Sequence, residues 1–232
     1  MIISLVNQKG GVGKTTAAIN LAASLKRKNH SLIFIDADPQ GSAIQWHAVE
    51  DNKAFEVKHH PGTIYQHEIN RLAQNYDYVV IDAPPALGHI TRSILAVTDL
   101  AVIPLSPSPL DVWSCWKTLE LIKEVQQQNT KLKSKLLISR KIPGTRLARE
   151  AREAMGVFNT DLFDAELCQR VAYIESMTHG VSVMQYAPNS KAANEIERLS
   201  EELIPQKVIE YEQSPNWSGY VNQPAWQNTS GS

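Results

Sequence analysis

Two cysteines in 232 residues, Cys115 and Cys168, are too few to staple a secreted scaffold or to build a four-thiolate metal site from one chain. A reducing compartment is the simplest reading, and a cytoplasmic protein is expected. No run approaches the ~18 apolar residues of a membrane-spanning helix. The N-terminus turns polar at Asn7 and shows neither a basic leader nor a long apolar stretch, so no signal peptide is expected. An excess of one charge is missing as well. The chain carries 23 Lys and Arg against 24 Asp and Glu, a formal net of −1 with His neutral. That balance excludes a wholly acidic disordered chain and a wholly basic nucleic-acid protein. What is present, 43% hydrophobic residues over this length, suits one domain with a core large enough to fold unaided.

Short apolar runs at Ile2 to Val6, Leu32 to Ile35, Tyr78 to Ile81, Leu100 to Ile103 and Leu136 to Ile138 alternate with segments of helical period. Continuous runs suit strands covered on both faces, and the alternation predicts an α/β fold, a doubly wound and mostly parallel sheet flanked by helices. Thr15 to Lys28 reads as the first crossover helix, with Ile64 to Gln74, Ile90 to Ala96 and Leu110 to Gln128 as others and Ser190 to Leu203 as the last. In Leu110 to Gln128, a stripe of Val112, Cys115, Trp116, Leu119 and Ile122 at helical spacing reads as core, with Trp113 off it. Gln213 to Ser232 holds no Asp, Glu, Lys or Arg. Such a segment buries too little apolar area to offset its ordering entropy, so the domain is expected over 1–204, with 205–232 as a flexible uncharged tail.

The most informative stretch is Gln8-Lys9-Gly10-Gly11-Val12-Gly13-Lys14-Thr15-Thr16, between an apolar strand and a helix. Glycines let backbone N–H groups wrap a phosphate, the helix adds its positive end, and Lys14 supplies a cation for β and γ oxygens. Lys9 through Thr16 are therefore the candidate nucleotide-binding residues, and Thr15 has the hydroxyl that Mg²⁺ needs. The plain G-x-x-x-x-G-K-[ST] pattern fails at Gln8, where a lysine at Lys9 and a doubled glycine follow instead. Two acidic motifs end the next strong strands: Asp36-Ala37-Asp38-Pro39-Gln40-Gly41-Ser42 and Asp82-Ala83-Pro84-Pro85. In an open parallel sheet, strand C-termini converge on the ligand crevice, so Lys14, Asp36, Asp38 and Asp82 are expected in one place. A carboxylate there holds Mg²⁺ through its waters, a role suited to Asp82.

The combination KGGVGKTT, DADPQGS and YDYVVIDAPP resembles the ParA family of partition ATPases, the deviant Walker-box group that also contains MinD, over residues 1 to about 204. The resemblance implies ATP with Mg²⁺ and an ATP-dependent homodimer. Lys9 would be the signature lysine reaching the partner's nucleotide, Asp38 would position the attacking water, and Asp36 would support the Mg²⁺ shell beside Thr15 and Asp82. Lys9, Lys14 and Asp38 are thus the catalytic candidates. Hydrolysis would be slow and adaptor-stimulated. After the strand ending at Ile138, relatives often carry an Asn that helps read adenine, whereas this chain has Ser139-Arg140.

Lys131 to Arg152 holds eight cations against Glu150 alone, a net of +7 in 22 residues that leaves −8 for the rest. Arg146, Arg149 and Arg152 share a helix face if helical, and doubled across a dimer they would make a track for phosphates. ParA-type dimers bind DNA without sequence preference through C-terminal basic residues, and Arg170 matches an arginine-containing segment of the family. Arg146, Arg149, Arg152 and Arg170 are the DNA-binding candidates. The expected function is a nucleoid-associated ATPase that moves a plasmid, a chromosome or a protein organelle such as a carboxysome through a ParB-like or other adaptor. Because the chain opens on its first strand, no helix-turn-helix for operator reading is expected. A MinD-like membrane ATPase is the alternative. It calls for a basic amphipathic C-terminal helix, which the uncharged tail lacks, so no membrane partner is expected. An iron–sulfur carrier would need paired cysteine ligands, and Cys115 and Cys168 stand alone.

Overall fold

A computed structural model describes residues 1–49 and 54–204; the predicted tail lies outside the described residues. Six strands, β1 (Ile2–Leu5), β2 (Leu32–Asp36), β3 (Glu56–His59), β4 (Tyr78–Asp82), β5 (Leu100–Leu105) and β6 (Lys133–Ile138), form one sheet in the order β3-β2-β4-β1-β5-β6. All five pairings are parallel, as both-face burial of β1, β2 and β4 requires. The helices are α1 (Lys14–Arg27), α2 (Ser42–Val49), α3 (Gln66–Asn75), α4 (His89–Val97), α5 (Pro109–Gln126), α6 (Arg146–Met155), α7 (Val171–Thr178), α8 (Val183–Tyr186) and α9 (Lys191–Leu203).

Successive strand residues feed opposite faces. Ile3, Leu5, Phe34, Val80 and Leu137 pack beneath α1, α8 and α9, while Ile2, Ile33, Val79, Ile81 and Ile138 pack beneath α3 to α6. Cys115, Leu119 and Ile122 are buried as the α5 stripe requires, but Trp116 is 40% exposed and rests its ring on Phe158, 4.9 Å between centroids. Trp113 is 68% exposed.

Two features place the site. The register sets Asp82 beside Leu5 on one side and Asp36 on the other, so three strand ends meet at one edge. Past α6, an irregular segment pairs back along β6: the N–H of Leu167 donates to the Ile138 carbonyl at 2.9 Å, and Gln169 N–H to the Lys141 carbonyl at 2.8 Å. This carries Leu167 to Arg170 to the same edge.

Candidate nucleotide site

Between β1 and α1 the chain turns on Gly11 (φ +75°) and Gly13 (φ +91°), both in the left-handed region. Asn7, buried, anchors the loop: its Nδ2 donates to the Pro104 carbonyl at 2.7 Å and its Oδ1 accepts from Lys9 N–H at 3.0 Å. Gly13 caps α1 without a side chain, and no acidic residue stands in the first turn. The leading N–H groups of α1 thus face an anion site with no carboxylate competing for them. Lys14 is buried, and its Nζ donates to the Lys9 carbonyl at 3.3 Å. Burial draws its pKa below the ordinary lysine value, against the opposing pull of Asp82 and Asp38.

Thr15 Oγ1 donates to Asp82 Oδ2 at 2.6 Å. The other oxygen of that carboxylate, Oδ1, is buried with no hydrogen-bond partner among the described residues. Burial pushes the Asp82 carboxyl up to about 7, with Asp36 and Asp38 adding repulsion and Thr15 and Lys14 opposing. A buried carboxylate oxygen lacking a partner beside a threonine hydroxyl is a hard-oxygen donor set, and it fits Mg²⁺. The described residues hold no cluster of three or more His, Cys, Asp or Glu able to cage a metal. Mg²⁺ commonly takes only one or two protein ligands, the rest coming from phosphate and water.

Both oxygens of Asp36 are engaged by backbone. Its Oδ2 accepts from the N–H groups of Ala43 and Ile44 at 2.9 and 3.0 Å, and its Oδ1 from Asp38 N–H at 3.2 Å. It caps α2 and shapes the loop. Asp38 is half-buried, its Oδ1 accepting from Gln40 N–H at 3.0 Å.

Gly10, Gly11, Gly13, Lys14, Thr15, Thr16 and Asp38 line one cavity of about 420 Å³. Lys9 and Val12 instead line the neighbouring groove, where Lys9 Nζ lies 3.7 Å from Asp111 Oδ1. The same lining holds residues the motifs did not flag: Ser139, Arg140, Leu167, Cys168 and Tyr173. Only Ser139-Arg140 left a sequence signal, as a departure from the expected Asn. Leu167 and Cys168 arrive through the irregular pairing to β6, which has no pattern to read. Both cysteines are free, and burial pushes the Cys115 thiol up to about 12 and the Cys168 thiol up to about 11.

The basic cluster is less open than its sequence count. Lys135 pairs with Glu202 at 3.0 Å, Lys141 with Glu166, Arg146 with Glu150 at 2.7 Å, and Arg152 with Glu166 at 3.0 Å. Arg170 donates from Nε and Nη2 to Glu195 Oε1 at 2.8 and 2.5 Å, which neutralises its charge, and it borders both the cavity with Lys14 and a groove with Lys141, Arg149 and Arg152. Among the described residues Arg149 has no acidic partner; its Nη1 reaches the Gly144 carbonyl at 3.4 Å.

A family model described as the CobQ/CobB/MinD/ParA nucleotide binding domain matches residues 3–183. The maintenance of carboxysome distribution protein A of Halothiobacillus neapolitanus is 31% identical over 208 residues, covering 88% of this chain and 96% of its own. The sporulation initiation inhibitor protein Soj of Bacillus subtilis is 27% identical over 249 residues, covering 87% and 97%. Among solved structures, apo McdA from Cyanthece matches with a TM-score of 0.73 at 18% identity, covering 88% of this chain and 99% of that one. The MinD protein of Pyrococcus horikoshii OT3 complexed with Mg-ADP matches with 0.68 at 21%, covering 88% and 96%.

Proposed function

The chain belongs to the CobQ/CobB/MinD/ParA nucleotide-binding family, and from that membership we propose that it is a ParA-type positioning ATPase, hydrolysing ATP to ADP and phosphate with Mg²⁺. The observation that carries the reading is the Asp82 carboxylate, one oxygen bonded to Thr15 and the other buried without a partner among the described residues, beside a loop whose N–H groups are placed for phosphate. When bound, Mg²⁺ would supply positive charge to neutralise the phosphates. Thr15 and Asp82 would hold it, and Asp36, whose oxygens bind backbone, would support the shell by fixing the Asp38 loop. Lys14 draws charge from the γ phosphate as it leaves, and Asp38 orients the attacking water. Lys9 stands outside its own chain's cavity, which favours action on the nucleotide of a second copy and so links nucleotide state to dimerisation.

Non-specific DNA is the proposed track, in the cytoplasm on the nucleoid, with a ParB-like or other adaptor linking the protein to a plasmid, chromosome or protein-organelle cargo. Arg149 offers unpaired charge, and the exposed Arg146–Glu150 pair is weak enough to release a cation to phosphate. Arg152 and Arg170 are held by partly buried carboxylates and contribute less. The test is sedimentation with plain DNA in ATP, ADP or no nucleotide, native against Asp38→Ala. ATP-dependent pelleting that persists longest in the variant is expected. Pelleting with liposomes instead would favour the MinD-like membrane alternative.

A further inference from the structure

Arg140 sits where β6 ends, in a conformation a strand would not choose. Its φ is +53°, left-handed for a residue with a side chain, and the strain is held by pinning on both sides. Ser139 N–H donates to the Leu105 carbonyl at 2.8 Å, and Lys141 N–H to the Leu167 carbonyl at 3.1 Å. The turn swings the side chain onto the phosphate loop, where Nη1 donates to the Gly11 carbonyl. It lies in van der Waals reach of the loop's glycines. A side chain begun at Gly11 would lie 3.8 Å from Nη1, and one begun at Gly13 would lie 3.9 Å from Cγ and 3.0 Å from Ser139 Oγ.

The guanidinium has five N–H donors. Arg92, Arg146, Arg152 and Arg170 each hold a carboxylate, whereas Arg140 holds none among the described residues. It borders two spaces at once: the cavity with Lys14, Thr15 and Thr16, and the groove with Lys9 and Asp111. An exposed cation beside the anion-binding end of α1, unpaired with any described carboxylate and held there by a strained backbone, is placed for a polyanionic ligand.

We propose that Arg140 is a phosphate-binding residue of the nucleotide site, a second cation that reaches the phosphates shared by ADP and ATP from the end of β6. The proposal rests on the nucleotide reading above and deepens it. Arginine suits the role because its donors remain charged at any working pH and grip two phosphate oxygens at once. A charge-assisted bond of this kind corresponds to about 10- to 100-fold in affinity.

The experiment measures dissociation constants for Mg-ADP and a non-hydrolysable Mg-ATP analogue in the native protein and in Arg140→Ala, Arg140→Gln and Arg140→Lys. Glutamine keeps an N–H donor for the Gly11 carbonyl but carries no charge, so it separates bracing of the loop from binding of phosphate. Both neutral variants are expected to bind both nucleotides about tenfold or more weakly, with Arg140→Lys recovering most of the loss. Thermal midpoints without nucleotide should stay within about 2 °C of native for Arg140→Gln. Native-like binding by Arg140→Gln, whether or not Arg140→Ala is weakened, overturns the proposal, as does equal loss in Arg140→Lys and Arg140→Ala. If the native protein binds neither nucleotide, the nucleotide reading fails and the proposal falls with it.

Discussion

Asp82→Asn is expected to disable hydrolysis and yet make the nucleotide-free protein hold its stability better as pH rises. The carboxyl titrates from 3.8 to about 7 on folding, chiefly because burial penalises its charge. A carboxyl whose folded pKa is raised leaves stability intact below the unfolded value, and stability falls between the two values as the unfolded chain ionises first. Above both, the charge must be buried. About three units at ~1.36 kcal/mol each amount to about 4 kcal/mol. Asparagine keeps an oxygen for the Thr15 hydroxyl but never ionises. Its buried Nδ2 costs about 1–3 kcal/mol, equally at every pH, so the offset drops out of the comparison. Urea unfolding in EDTA at about pH 5.5 and about pH 8.5 reads the difference directly. The variant should gain on the native protein by about 2 kcal/mol between the two conditions. Parallel pH profiles would refute the account of Asp82 as a carboxylate held at a disadvantage until a cation arrives.

Glu195→Ala strands Arg170 and leaves the Cys168 N–H and the Tyr173 hydroxyl, which lie 3.1 and 3.2 Å from Glu195, without that partner; a loss of about 3–5 kcal/mol in urea unfolding is expected, and under about 1 would contradict the hub. Arg149→Ala should reduce the slope of log DNA affinity against log salt by about 1, whereas Arg170→Ala should lower the unfolding midpoint with little change in slope; the reverse pattern would restore Arg170 to the DNA surface. Asn20 is fully buried, donating to the Thr16 carbonyl and accepting from Val183 N–H, each at 2.8 Å, so Asn20→Leu should cost about 1–3 kcal/mol by orphaning that N–H. Denaturation profiles that superimpose would rule it out.

Legibility in the sequence followed burial. β1, β2, β4 and β5 were visible because strands covered on both faces are apolar nearly throughout, and β6, at one edge of the sheet, only through its buried half Leu136 to Ile138, since it opens on Lys133-Ser134-Lys135. β3 was not: at the other edge, Glu-Val-Lys-His buries only Val57, so no apolar run exists to find. α2, with no clear period, and the four-residue α8 were equally silent. In the cavity, residues that lie in a motif were legible by position, namely Gly10, Gly11, Gly13 to Thr16 and Asp38, with Asp82 bonded to Thr15 beside them. The backbone partners of Asp36 were not legible, because a carboxylate capping a helix and one assisting a metal share the same spelling. The charge count misled for a related reason. The partners of Lys135, Arg152 and Arg170 are Glu202, Glu166 and Glu195, the first and last of them on a helix that folds back from far along the chain.

That returning helix changes where the nucleotide site ends. Glu195 and Glu202 sit seven residues apart, two turns along one side of α9. The first grips Cys168 and Arg170, and the second accepts from the N–H groups of Asp164 and Ala165. Together they hold the irregular stretch that lines part of the cavity, although α9 lends the cavity no residue of its own. A chain shortened to Pro85, the last residue of the sequence motifs, would keep Gly10 to Thr16, Asp38 and Asp82 but lose both Arg140 and the Leu167 to Arg170 stretch that lines the same cavity. The packed unit that shapes the cavity therefore includes α9, which ends at Leu203, twenty residues beyond the match to the family's nucleotide-binding domain.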